Sequence, residues 1–123
     1  MERTVMMQLK NWKNSQFRKP LILTGARQVG KTYVLKEFGK KEFKNVAYVN
    51  CDNNPDVRSL FDEDYDMKKV LMIIGAITKQ PIVPGETLII LDEIQELPRG
   101  LSSLKYFCEE IPEYHVVVAG SLL

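Results

Sequence analysis

Cysteine, histidine and long apolar runs are what this sequence has least of. Two cysteines, Cys51 and Cys108, stand far apart in 123 residues. They are too few for a disulfide framework and show no C-x-x-C or Cys/His spacing, so both are expected as reduced thiols in a cytoplasmic protein. With one histidine, His115, and no cysteine cluster, zinc chemistry is not expected. No apolar run approaches the roughly 18 residues that a membrane span needs. The start, Met-Glu-Arg-Thr-Val-Met-Met-Gln, lacks the unbroken apolar stretch of a signal peptide. Charge of one sign is missing as well: 17 Lys plus Arg against 16 Asp plus Glu leave a formal charge of +1. Such a balance gives no global attraction to nucleic acid or to an anionic membrane. What is present is a globular composition, 45% hydrophobic and 27% charged, at a length that suits a single domain over 1–123.

The periodicity of apolar residues changes along the chain. Val5, Leu9, Trp12 and Gln16/Phe17 recur at steps of three and four, an amphipathic helix within 1–19 that must stop before Pro20. From 20 onward the pattern is that of a core domain. Leu21-Ile22-Leu23-Thr24 is a short strand ending at Gly25, and Val34, Leu35 and Phe38 mark a helix closed by Gly39. Val46 to Val49 reads as a second strand, Leu60-Phe61 as part of a short helix, and Met67, Val70, Leu71, Ile74 and Ile77 as the face of a longer one broken by Pro81, Pro84 and Gly85. Thr87 to Leu91 is a continuous apolar strand, Leu101, Leu104, Cys108 and Ile111 mark a helix ending near Pro112, and Val116 to Ala119 a fourth strand. Strands that alternate with helices and are apolar on both faces describe an α/β fold: a mostly parallel sheet covered by helices on each side. The sequence stops at Leu122-Leu123 directly after a buried strand, so a longer protein is expected.

Gly25-Ala26-Arg27-Gln28-Val29-Gly30-Lys31-Thr32 fits G-x-x-x-x-G-K-[ST] at every fixed position, between a predicted strand and a predicted helix. Four fixed positions match by chance in well under about 1% of chains this size. Glycines at 25 and 30 let the loop curl and turn successive backbone N–H groups inward as an anion nest, with the positive end of the helix dipole beneath it. Lys31 is then placed to bridge β- and γ-phosphates, and the Thr32 hydroxyl to bind magnesium. Arg27 and Gln28 are expected to point away from phosphate.

Leu88-Ile89-Ile90-Leu91-Asp92-Glu93 is four apolar residues followed by two acids. In open α/β sheets ligands gather at the carboxyl ends of strands, which sets Asp92 beside the glycine loop as a metal ligand. Glu93, facing the other way, is the candidate to orient or deprotonate an attacking water. Gln95 reads either as a polar neighbour or as an exposed helix-entry residue. Ser121, just past the fourth strand, is a candidate γ-phosphate sensor. His115 begins that strand, about 20 Å from Ser121 at about 3.3 Å per residue, which excludes a Ser/His/Asp triad. Asn50 and Asp52 are candidates to hydrogen-bond Glu93 and restrain it, or simply to cap the strand end. Lys36, Lys40, Lys41 and Lys44 form a basic cluster that reads as a solvated face, with nucleic acid as the sharper alternative. Asp62, Glu63, Asp64 and Asp66 read as helix-start chemistry.

Arg18-Lys19-Pro20 leading into the loop, Leu91-Asp92-Glu93-Ile94-Gln95, and Ala119-Gly120-Ser121 together resemble the prokaryotic P-loop ATPases of the AAA superfamily whose loop reads GxRQVGKT. The resemblance implies a three-layer αβα P-loop fold with central strand order 5-1-4-3-2, ATP rather than GTP, and Mg²⁺. It carries Gly25 to Thr32 over as Walker A, Asp92 and Glu93 as Walker B, and Ser121 as sensor 1. In similar proteins a fifth strand, a lid and a C-terminal domain follow, so this chain is expected to lack them, with an exposed edge beside the first strand. The resulting reading is Mg²⁺-dependent ATP hydrolysis that drives a conformational change in that missing C-terminal region or in a partner, a second copy of the chain included. The alternatives are a nucleotide-binding switch that barely hydrolyses and a small-molecule phosphotransferase. No N-K-x-D motif supports a GTPase, and no L-S-G-G-Q signature an ABC engine.

Overall fold

Four short apolar runs become four parallel strands. The computed structural model describes residues 2–15, 20–24, 29–52, 54–58, 60–61, 66–97 and 99–120, with the backbone alone at 2–5, 24 and 29–31. The order is α1 (Glu2–Lys13), β1 (Leu21–Thr24), α2 (Val29–Glu42), β2 (Asn45–Asn50), α3 (Pro55–Arg58), α4 (Met67–Thr78), β3 (Thr87–Asp92), a short 3-10 turn (Ile94–Glu96), α5 (Ser103–Glu110) and β4 (His115–Gly120). The strands lie in the order β1-β4-β3-β2, all pairs parallel. This is an α/β fold of the P-loop NTPase kind, and its order is the 1-4-3-2 part of the expected arrangement. β3 and β4 are buried at all six positions each, as strands covered on both faces must be.

Side-chain alternation along the strands divides the core in two. Leu88 and Ile90 of β3 and Val117 and Ala119 of β4 face Leu9, Leu35 and Phe38, so this side is covered by α1 and α2. Ile89, Leu91, Val116 and Val118 face Val70, Ile74 and Phe107, the layer of α4 and α5. On β2, Val46 and Tyr48 belong to the first side and Ala47 and Val49 to the second, which Cys51 just beyond the strand also joins. The even-numbered residues of β2 and β3 therefore share the face on which α2 lies, and this decides where Asp92 points.

Several sequence readings change. Gly39 does not close α2, which runs on to Glu42. A Cβ at 39 would come within 2.3 Å of Val46 Cγ2 and 3.2 Å of Leu88 Cδ2, so glycine is present because helix and sheet touch there. Leu60 and Phe61 are not helical: the short helix is α3, and both residues lie in the turn beyond it, buried against the second core. In α5 the deepest aromatic anchor is Phe107, 1% exposed, whereas Leu101 precedes the helix and is exposed. The first helix, expected to reach Gln16/Phe17, ends at Lys13, and Gln16 and Phe17 lie outside the described residues. Asp66 caps α4 by accepting from the N–H groups of Lys68 and Lys69 at 3.2 and 3.3 Å, the helix-start role expected of it. Asp62, Glu63 and Asp64 lie outside the described residues. Lys79 ends α4 in the left-handed conformation, two residues before Pro81. Cys51 and Cys108 are free thiols. No helix among the described residues is long and apolar enough to cross a membrane.

Candidate functional site

Asp92 ends β3 on the face that carries α2, and Thr32 stands in the first turn of that helix. The Thr32 hydroxyl donates to Asp92 Oδ2 at 2.8 Å. The Tyr48 hydroxyl, from the neighbouring strand, donates to the same oxygen at 2.7 Å, and the Glu93 N–H donates to Asp92 Oδ1 at 3.0 Å. One step back along the chain, the Asp92 carbonyl accepts from the Cys51 N–H at 2.8 Å, which locks β2 to β3 beside the site. Asp92 is 5% exposed. A carboxylate so far from water is tolerable only when its oxygens find donors, and here three converge on it.

The neighbours feel that charge. Burial, then the hydrogen bond to Asp92, raises the Tyr48 phenol well above its ordinary range, with the Thr32 hydroxyl opposing weakly. Burial first, then the charges of Asp92 and Glu93, pushes the Cys51 thiol up to about 12, so Cys51 is a protonated packing residue. The Lys36 ammonium stands 4.1 Å from the centre of the Tyr48 ring, so a surface cation reaches the site through one aromatic side chain.

Strand alternation stops at Asp92. Glu93 takes φ 57° and ψ 48°, a left-handed conformation that a non-glycine residue adopts at some cost. The turn keeps Glu93 at the sheet edge, 8% exposed, and its Oε1 accepts from the Gln95 side-chain amide at 3.4 Å. Gln95 is accordingly a partly buried polar neighbour of Glu93 rather than a solvated one. Its own carbonyl oxygen is buried without a partner among the described residues.

Asn50 has another task than restraining Glu93. Its side-chain oxygen accepts from the Asp52 N–H at 2.9 Å and its carbonyl from Asn54 Nδ2 at 3.0 Å, a closed turn at the end of β2. Beyond that turn a polar cavity of about 620 Å³ is lined by Cys51, Asp52, Asn54, Pro55, Arg58 and Glu96. His115 sits at the amino end of β4, against the rings of Trp12 and Phe43 with centroids 5.6 and 5.0 Å away, at the opposite end of the sheet from Asp92. Lys36, Lys40 and Lys44 line a separate groove, and Lys41 is exposed. Gly25, Ala26, Arg27, Gln28 and Ser121 lie outside the described residues. Val29, Gly30 and Lys31 form the start of α2 by their backbone.

The residue missed in the sequence is Tyr48. Two signals pointed to it: a hydroxyl in an otherwise apolar run, and a position two residues before the strand end. What was absent is the register, which pairs Tyr48 with Ile90 and so sets it diagonally beside Asp92.

Oxygen donors of this kind, one hydroxyl and one carboxylate on a single contact, match a hard divalent cation that takes its remaining ligands from water and phosphate. No curated protein matches the chain. A family model described as an AAA domain matches residues 17–123, which takes in all four strands and the whole of the site. The chain belongs to the AAA domain family.

Proposed function

We propose that the chain binds Mg-ATP at the carboxyl edge of the sheet and hydrolyses it. The observation that carries this reading is the 2.8 Å contact between Thr32 and Asp92, which joins the start of α2 to the end of β3. The first turn of the helix that follows the glycine segment in sequence and the acidic strand end thus meet, and nucleotide hydrolysis needs such a meeting. Thr32 and Asp92 are the residues that would hold magnesium, and their donor set fits it. When bound, the ion neutralises charge on the phosphoryl oxygens.

The chain's own residues divide the rest. The segment Gly25, Ala26, Arg27, Gln28, Val29 and Gly30 offers backbone N–H groups to the phosphates, and the dipole of α2 favours negative charge at its start. Lys31 follows as a compact cation for the β- and γ-oxygens. Tyr48 and the Glu93 N–H orient the Asp92 carboxylate, so its position is set before nucleotide arrives. Glu93 is the base or positioning group for the attacking water, and Gln95 holds its carboxylate. The left-handed turn at Glu93 supports this assignment, because a strained non-glycine residue at a strand end persists where the surroundings hold it for a task. Ser121 completes the set as a γ-phosphate sensor. Hydrolysis would be coupled to movement in a further region or a partner.

The polar cavity lined by Arg58, Asp52 and Glu96 favours one second reading, transfer of phosphate to a small polar acceptor seated there. A single experiment separates the possibilities: ATP binding and phosphate release by the chain and by its Lys31→Ala and Glu93→Gln variants. The expected result is binding weakened at least tenfold in Lys31→Ala. In Glu93→Gln, binding should stay within about threefold while turnover falls at least a hundredfold. Retained ATP binding with negligible turnover in both the unaltered chain and Glu93→Gln would make the site a switch. Phosphate release that appears only with an added polyol or amine acceptor would favour transfer.

A further inference from the structure

A second feature lies on the outside of the sheet, where β2 is an edge strand. In a parallel strand each residue turns its N–H and C=O to one side, and successive residues alternate. The Asn45 N–H bonds the Glu86 carbonyl at 3.4 Å and the Cys51 N–H bonds the Asp92 carbonyl at 2.8 Å, so the odd-numbered residues of β2 are turned to β3. Val46, Tyr48 and Asn50 therefore present their N–H and C=O groups outward. The Asn50 carbonyl is taken by Asn54 Nδ2, whereas those of Val46 and Tyr48 have no partner among the described residues. The chain leaves a short ladder of donors and acceptors open, as an added strand would require.

The same stretch forms the floor of a groove of about 410 Å³, lined by Val46, Tyr48, Asn45 and Gln80 and by Lys36, Lys40 and Lys44. The cations are not equally engaged. Lys44 is taken up by Glu86 at 2.9 Å, and Lys40 makes only a loose 3.9 Å approach to Glu37 with its side chain 73% exposed. Lys36 is exposed and rests over the Tyr48 ring. We propose that this groove docks an extended acidic peptide segment of a partner protein, which adds to the edge of β2 along Val46 to Tyr48 and turns alternate carboxylates to Lys36 and Lys40. The spacings agree. Residues four apart on a helix rise about 6 Å, and alternate residues of a strand repeat at about 6.6 Å. Lysines at a sheet edge normally repel neutral or basic strands, so here they select for acid. The backbone ladder favours a peptide over a nucleic acid, which shares the negative charge but cannot supply main-chain pairing. The groove is separate from the nucleotide site, and its occupation needs no nucleotide.

The test is fluorescence anisotropy without nucleotide, using a short capped peptide of alternating glutamate and valine. Two further versions carry N-methyl groups on every glutamate or on every valine, and an oligothymidylate of equal charge serves as competitor. The expected result is saturable binding that one N-methylated version loses and the other keeps, since only one side of the added strand faces β2. The combined Lys36→Glu and Lys40→Glu changes should weaken binding at least tenfold in a chain that still unfolds cooperatively; Lys40→Glu alone serves if the double variant fails to fold. Absence of saturable binding up to millimolar peptide overturns the proposal. So does equal binding of both N-methylated versions. Displacement of the peptide by oligothymidylate at equal concentration would reassign the groove to nucleic acid.

Discussion

At the scale of single residues, Asp92 is the point on which the site turns, and Tyr48 is its most informative neighbour. The Tyr48 hydroxyl is one of two donors to Asp92 Oδ2, so Tyr48→Phe leaves a buried carboxylate short of a charge-assisted hydrogen bond. A loss of about 1 to 2 kcal/mol is expected, seen as a lower urea midpoint at unchanged slope. The loss should depend on pH in one direction. Burial and Asp92 raise the folded-state pKa of Tyr48 above the ordinary 10, so the phenol binds its proton more tightly folded than unfolded. Its contribution is complete below about pH 10 and declines as pH rises above that, because the unfolded chain gives up the proton first. The gap between the two proteins should therefore narrow above pH 10, and a gap that widens there would show that the phenol is not held by Asp92. The glycine-lysine segment and the acidic pair are legible in the sequence as residue types at a fixed spacing. Tyr48 is not, because its role depends on a partner 44 residues away through strand register.

Elements carried the sequence reading well where one periodicity dominated and poorly where a single residue type has two uses. The strands were legible because β3 and β4 carry continuous apolar runs, Leu88 to Leu91 and Val116 to Ala119, and α4 because its apolar residues recur on one face between Asp66 and Pro81. Gly39 was misread because glycine both ends helices and permits close packing, and local sequence does not distinguish the two. Leu101 was placed on the buried face of α5, but the helix starts only at Ser103, and Phe107 takes the buried position instead. The Gly39 contact gives a clean test. Gly39→Ala gains about 1 kcal/mol in helix propensity but forces a methyl group into Val46, an overpacking that costs about 1 to 3 kcal/mol. The single change should destabilise the chain on balance, and in a Val46→Ala background it should become neutral or stabilising. A double-mutant cycle by urea unfolding reads the difference. Additive effects would show that helix and strand do not meet there.

For the whole molecule, the arrangement follows from two demands met by one sheet. Both faces of β3 and β4 must be covered, which calls for helices on each side, and the parallel connections bring all strand ends of one kind to one edge. The first turn of α2 and the last residue of β3 then meet at that edge. Among the described residues the sheet has two edges. At one, β2 offers the lysine-lined groove; at the other, β1 leaves Ile22 45% exposed, as expected for an edge strand. The central claim is that Thr32 and Asp92 form the metal-binding half of a nucleotide site. Isothermal titration of ATP with and without Mg²⁺, on the chain and on Asp92→Asn, tests it most directly. The account predicts that Mg²⁺ tightens ATP binding at least tenfold in the unaltered chain and that Asp92→Asn removes most of this gain while retaining metal-free affinity. An equal gain from Mg²⁺ in both proteins would contradict it.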